Sequence, residues 1–149
     1  MTFDVIADTG PIVAFLNQRD DWHLWALEQF RAIAPPLVTC EAVLSEAAFL
    51  LRHDPRGADA LLQLVERHIV RVEFNISDEA EHVRRLMKRY ANVPMSFADA
   101  CLVRMSETRK RATVVTLDQD FRVYRRLGRQ VIPMIAPGAG PKVRRASNR

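Results

Sequence analysis

Cysteine and histidine are scarce in this chain of 149 residues, two of one and four of the other. Cys40 and Cys101 make neither a disulfide framework nor a zinc cluster, and His23, His53, His68 and His82 are too scattered to supply a metal motif. No apolar run approaches the roughly 20 residues of a membrane-spanning helix, so no membrane partner is expected. The start, MTFDVIADTG, lacks a basic segment followed by an apolar one, so no secretory signal is expected either. The setting these absences imply is a reducing cytoplasm. There is no internal repeat. What is present is globular composition, 48% apolar and 27% charged, in a length that suits one domain with a substantial core.

The net charge of +4 comes largely from one end. Lys142, Arg144, Arg145 and Arg149 fall in an acid-free terminus, and without them the two signs balance. Residues 104–129 hold a cluster of basic side chains (Arg104, Arg109, Lys110, Arg111, Arg122, Arg125, Arg126, Arg129), and Arg84, Arg85, Lys88 and Arg89 form another. Such clusters can attract a polyanion, or can simply be the solvated faces of helices.

Apolar runs and turn formers predict alternating elements. Strands are expected at Phe3–Ala7, Leu37–Thr39, Ile69–Phe74, Thr113–Leu117 and Val131–Ile132. Helices are expected after Pro11, from Trp22 to Ile33 behind an Asp21 cap, over 40–53, from Pro55 to His68, from a Ser77 cap to Tyr90, from a Ser96 cap to Lys110, and over Gln119–Leu127. Residues 137–149, with turn formers and basic side chains, read as a flexible tail behind a domain spanning 1–136. Strands that alternate with helices imply an α/β domain with a mainly parallel sheet covered on both faces. Ligands in such folds bind beyond the carboxyl ends of the strands.

That rule directs attention to four acids. Asp8 follows the first strand and Asp118 follows TVVTL. Glu46 borders the buried stripe of its helix, with Val43, Leu50 and Ala47 within about 100° of it, whereas Glu41 lies well clear. Asp99 points along an apolar stripe with Leu102 and Val103. Each acid has a structural alternative: Asp8 as a turn or cap residue, Asp118 as a cap, Glu46 as an edge residue reaching water, and Asp99 as the third member of a Ser96 capping box. If the strands are parallel, all four can converge on one sheet edge. Four carboxylates there would repel strongly unless a cation neutralised them. An oxygen-only donor set points to Mg²⁺ or Mn²⁺ rather than zinc.

Four segments in this order and spacing resemble the PIN-domain ribonucleases, in particular the VapC-like toxins of toxin–antitoxin pairs. They are Ile6-Ala7-Asp8-Thr9-Gly10-Pro11, Val43-Leu44-Ser45-Glu46 with Phe49-Leu50-Leu51, Ser96-Phe97-Ala98-Asp99-Ala100, and Val115-Thr116-Leu117-Asp118-Gln119-Asp120-Phe121. The resemblance implies a three-layer α/β/α domain and a metal-binding catalytic quartet of Asp8, Glu46, Asp99 and Asp118, with Asp120 assisting. Thr9, Ser96 and Thr116 match small hydroxyl positions that orient ligands or water, or that serve ordinary turns and caps. It further implies Mg²⁺- or Mn²⁺-dependent hydrolysis of RNA by water, leaving a 5′-phosphate and a 3′-hydroxyl. A cognate antitoxin and a homodimer are the implied partners. On this reading the antitoxin lays apolar side chains near Trp22 and Trp25, whose alternative role is ordinary core packing, and sends an Arg or Lys toward the quartet.

Rival readings fit less well. A receiver-type phosphorylation switch wants paired acids after the first strand and a lysine after a late one, where this chain has Asp8-Thr9 and Leu117-Asp118. A haloacid-dehalogenase-like phosphatase wants a second Asp two residues after Asp8, where Gly10 stands. A catalytically inactive PIN-like protein- or RNA-binding module remains the alternative. Such a module would typically have lost one of the four acids, and this chain keeps all four.

Overall fold

Each strand of the central sheet is short, because a polar or turn-forming residue closes every apolar run after a few positions. The computed structural model describes residues 4–138. Its elements run β1 (Asp4–Ala7), α1 (Thr9–Leu16), α2 (His23–Ala32), β2 (Leu37–Thr39), α3 (Glu41–Leu50), α4 (Gly57–Glu66), β3 (Val70–Val72), α5 (Ile76–Arg89), α6 (Phe97–Glu107) and β4 (Ala112–Val115). A single 3-10 turn, Gln119–Arg122, then leads to β5 (Arg125–Arg126), β6 (Gln130–Val131) and β7 (Met134–Ile135). The tail expected over 137–149 lies outside the described residues apart from Pro137 and Gly138, as does Phe3.

Five strands form one parallel sheet in the order β3-β2-β1-β4-β7. β1 pairs with β4 along its whole length, from Asp4 opposite Ala112 to Ala7 opposite Val115. Ile6, Ala7, Val70, Val114 and Val115 are fully buried, as expected of strands covered on both faces in a three-layer α/β/α domain. α1 packs on α2 and α3, and α5 on α6. From β1 the chain winds outward through β2 and β3 on one side, then returns to place β4 and β7 on the other. The winding therefore reverses between β1 and β4, and a crevice opens beyond their carboxyl ends. No helix among the described residues is long and apolar enough to cross a membrane.

Four expectations change. Asp20, not Asp21, accepts the Trp22 N–H (2.8 Å) ahead of α2. Asn75, two residues before Ser77, caps α5. The helix expected over Gln119–Leu127 shrinks to one 3-10 turn. Arg125 and Arg126 leave it to pair with Val131 and Gln130 in an antiparallel hairpin. Leu127 (φ 51°) and Gly128 (φ 86°) carry the hairpin's turn. The strand expected at Val131–Ile132 is thus the hairpin's second arm, and Met134–Ile135 supplies the fifth strand of the sheet.

Half of the basic cluster at 104–129 is bonded into the fold, through Arg104, Arg109, Arg125 and Arg126, and the other half is exposed. Arg104 reaches from α6 to Glu79 on α5 (2.6 Å) and to Glu107 (3.3 Å). Arg109 joins Asp4 (3.0 Å) to Glu73 (3.2 Å). Arg126 donates through Nε and Nη2 to the Ser106 carbonyl at the end of α6 (3.0 and 2.8 Å). Arg125 Nη1 binds the carbonyls of Arg122, Val123 and Tyr124. From the other cluster, Arg89 holds the Gly128 carbonyl (2.6 Å).

Candidate active site

Residues that cap elements also wall the crevice. Asp8 ends β1 and caps α1, its Oδ1 accepting the Thr9 N–H at 2.7 Å. Asp118 follows β4 and caps the 3-10 turn, accepting the Asp120 N–H at 2.9 Å. Asp99 sits in the first turn of α6 and completes a capping box. Its N–H donates to Ser96 Oγ (3.0 Å), and the Ser96 N–H donates to Asp99 Oδ2 (3.4 Å). The capping readings of all three acids are therefore correct, and they do not exclude a second role. A cap belongs at an element's end, and in a parallel sheet those ends gather on one edge.

Hydroxyls tie the acids together. Thr116 Oγ1 donates to Asp8 Oδ2 (2.7 Å) and accepts the Asp118 N–H (2.8 Å), bridging the ends of β1 and β4. Thr9 Oγ1 donates to Glu46 Oε1 at 2.6 Å, fixing α3 against α1. Glu46 is exposed at the rim, not desolvated at a core boundary as its helical position suggested. The buried stripe of α3 runs through Val43, Ala47 and Leu51, while Leu50 is half exposed.

The result is an open cleft of about 400 Å³ lined by Asp8, Thr9, Gly10, Glu46, Leu50, Pro94, Ser96, Asp99, Leu117, Asp118 and Asp120. All four expected acids, Asp120, Thr9 and Ser96 are on its wall. Thr116 is fully buried behind it. Gly10 lets α1 close on the wall, since a Cβ there would lie 3.2 Å from the Leu117 side chain. Five carboxylates line the cleft, and no Lys, Arg or His among the described residues does so. Burial pushes Asp8 up to about 7, despite the lowering bonds from Thr116 and Thr9, and the charges of Asp99 and Asp118 add to the rise. Asp99 is likewise raised, mainly by burial, with the Tyr124 hydroxyl opposing.

Oxygen is the only side-chain donor on this wall, which suits a hard divalent cation. Among the described residues, no group of three or more His, Cys, Asp or Glu is arranged to hold an ion by itself. Mg²⁺ does not need such a cage, because it is commonly held by one or two carboxylates while water and phosphate oxygens complete its shell. The donor set thus fits a divalent ion that binds together with water or a phosphate.

The sequence of residues 5–127 matches the PIN domain. The chain belongs to the PIN-domain family. PIN domains of the VapC type are nucleases, and the parallel five-stranded sheet agrees with membership of the family. The crystal structure of VapC20 from Mycobacterium tuberculosis, a toxin that cleaves the sarcin–ricin loop, is similar to this chain with a TM-score of 0.69. The two are 25% identical over 80% of this chain and 94% of that one. No curated protein matches the sequence significantly.

One supporting residue escaped the sequence. Tyr124 is fully buried, and its hydroxyl donates to Asp99 Oδ2 at 2.9 Å. A signal existed: Phe121 and Tyr124 stand three apart beside Asp118 and Asp120, and a buried tyrosine hydroxyl needs a partner.

Proposed function

We propose that this PIN domain is a Mg²⁺- or Mn²⁺-dependent endoribonuclease acting as the toxin of a toxin–antitoxin pair. The observation that carries the reading is a cleft walled, among the described residues, by five carboxylates and no cationic side chain, at the winding reversal of a VapC-like fold. Asp8, Asp99 and Asp118 are the proposed metal ligands, with Glu46 at the rim as the fourth and Asp120 in support. A divalent ion bound there would neutralise the carboxylates, hold a scissile phosphate and make a nearby water acidic enough to serve as nucleophile. The chain's own part is to hold the acids still. Thr116 fixes Asp8 and the Asp118 backbone, Thr9 fixes Glu46, and Ser96 fixes Asp99. The exposed carboxylate of Glu46 has the solvent access needed to take a proton from an attacking water.

The partners proposed are RNA, a cognate antitoxin and a second copy of the chain, in the cytoplasm. Trp25 packs against the core while Leu24 beside it is exposed, so the early helices retain some apolar surface for an antitoxin.

The test is cleavage of a panel of single-stranded and folded RNAs with Mg²⁺, Mn²⁺ or excess chelator. Metal-supported cleavage is expected, with loss by orders of magnitude in Asp8→Asn, Asp99→Asn, Asp118→Asn and Glu46→Gln, and none in Glu41→Gln. Cleavage that persists in excess chelator contradicts the metal requirement. Silence across the panel favours a binding module.

A further inference from the structure

Beneath the cleft, the ring of Tyr124 is held from two sides. It meets Phe121 edge-on at 5.2 Å and Tyr90 edge-on at 5.1 Å. The Tyr90 hydroxyl is itself engaged, accepting the Arg125 N–H at 2.8 Å. Tyr124 belongs to the same segment as Asp118 and Asp120, its N–H donating to the Asp120 carbonyl at 3.1 Å. Its hydroxyl crosses from that segment to Asp99 on α6. A phenylalanine ring would make the same aromatic contacts, so packing does not call for the hydroxyl. What the hydroxyl adds is a bond to one chosen oxygen of one acid.

The choice of oxygen matters. The Tyr124 hydroxyl and the Ser96 N–H both donate to Oδ2 of Asp99. Asp99 nevertheless lines the cleft. We propose that Tyr124 is a positioning residue, whose hydroxyl holds Asp99 Oδ2 down so that Oδ1 is left to the cation. This rests on the reading of the cleft as a metal-dependent nuclease site. A carboxylate pinned at one oxygen loses little freedom when the other takes a ligand, and partners of this kind typically contribute about 10–100-fold in metal affinity or activity. The strut also couples α6 to the segment that carries Asp118 and Asp120, so acids from two elements keep a common spacing.

The experiment compares Tyr124→Phe with Tyr90→Phe. Each removes one buried hydroxyl from the same aromatic group, but only the first touches Asp99. Mn²⁺ binding is measured on the full chain by the electron paramagnetic resonance signal of free Mn²⁺, and RNA cleavage is resolved into kcat and KM. Tyr124→Phe is expected to weaken Mn²⁺ binding about 10-fold and to lower kcat about 10–100-fold, with KM for RNA changed by less than about twofold. Tyr90→Phe is expected to leave all three within about twofold. In an Asp99→Asn background, Tyr124→Phe should add no further loss of Mn²⁺ affinity. Unchanged Mn²⁺ affinity and kcat in Tyr124→Phe, or equal losses in Tyr90→Phe, overturn the positioning role while leaving the nuclease reading in place if Asp99→Asn is inactive. Full Mn²⁺ binding and cleavage by Asp99→Asn would instead overturn the reading on which the role rests.

Discussion

Burial makes the charge of Asp8 costly to the fold. Its carboxyl titrates near 3.8 when unfolded and near 7 when folded, because it is buried beside Asp99 and Asp118. Between those values the folded state holds more protons, so Asp8 lowers stability progressively as pH rises through that window, with the full cost present above about pH 7. Asp8→Asn should therefore raise the Tm at pH 8 by an amount equivalent to about 1–3 kcal/mol, after allowing for one weakened hydrogen bond. The gain should vanish near pH 4, and calorimetry across pH checks both ends. A gain independent of pH would contradict the cause given. Thr116 makes the opposite prediction. Thr116→Val strips a fully buried hydroxyl from Asp8 and from the Asp118 N–H. It should cost about 1–3 kcal/mol in urea unfolding and lower RNA cleavage about 10–100-fold. At this scale the acids were legible, because caps sit at predictable places in sequence. Tyr124 was not, since nothing local tells a tyrosine which carboxylate it will meet. Glu46 was legible as a residue but not in its exposure, which depends on how α3 lies against α1.

Helices and strands with strong apolar periods emerge in the structure within a few residues of their expected ends. α3, α5, α6 and β4 are the clearest cases. The region after Asp120 departs from expectation because tertiary bonds outrank its helical pattern. Glu107 accepts the Leu127 N–H (2.8 Å), Arg89 holds the Gly128 carbonyl, and Arg126 caps α6. These draw the chain into a hairpin that no local propensity demands. The same bonds engage part of the basic cluster within the fold, while Lys110, Arg111, Arg122 and Arg129 stay on exposed surface. Arg104→Ala should cost about 1–3 kcal/mol of stability, because it breaks bonds to two carboxylates that anchor α5 and the hairpin. Arg84→Ala, on exposed α5 surface, should stay within about 0.5 kcal/mol. Chemical denaturation of the two variants side by side distinguishes them, and equal effects would return the cluster to the solvated surface.

The whole molecule gathers its acids through topology. β1 and β4 are adjacent in the sheet though more than a hundred residues apart in sequence, and their ends bring Asp8 within one hydroxyl of Asp118. Parallel strands and their order therefore create the cleft. The α/β alternation in the sequence foretold the parallel sheet but not the pairing, because two-residue strands such as β7 leave no signal. Divalent ions should stabilise this arrangement. Millimolar Mg²⁺ at pH 8 is expected to raise the Tm of the unsubstituted chain and to leave that of Asp8→Asn nearly unchanged. Whether these carboxylates form one cation site is decided by anomalous diffraction from crystals soaked in Mn²⁺. A manganese peak is expected in the cleft within coordination distance of Asp8, Asp99 or Asp118, and it is expected to disappear in Asp99→Asn. Strong peaks elsewhere on the protein with none in the cleft, at Mn²⁺ concentrations that support RNA cleavage, would contradict a cation site there.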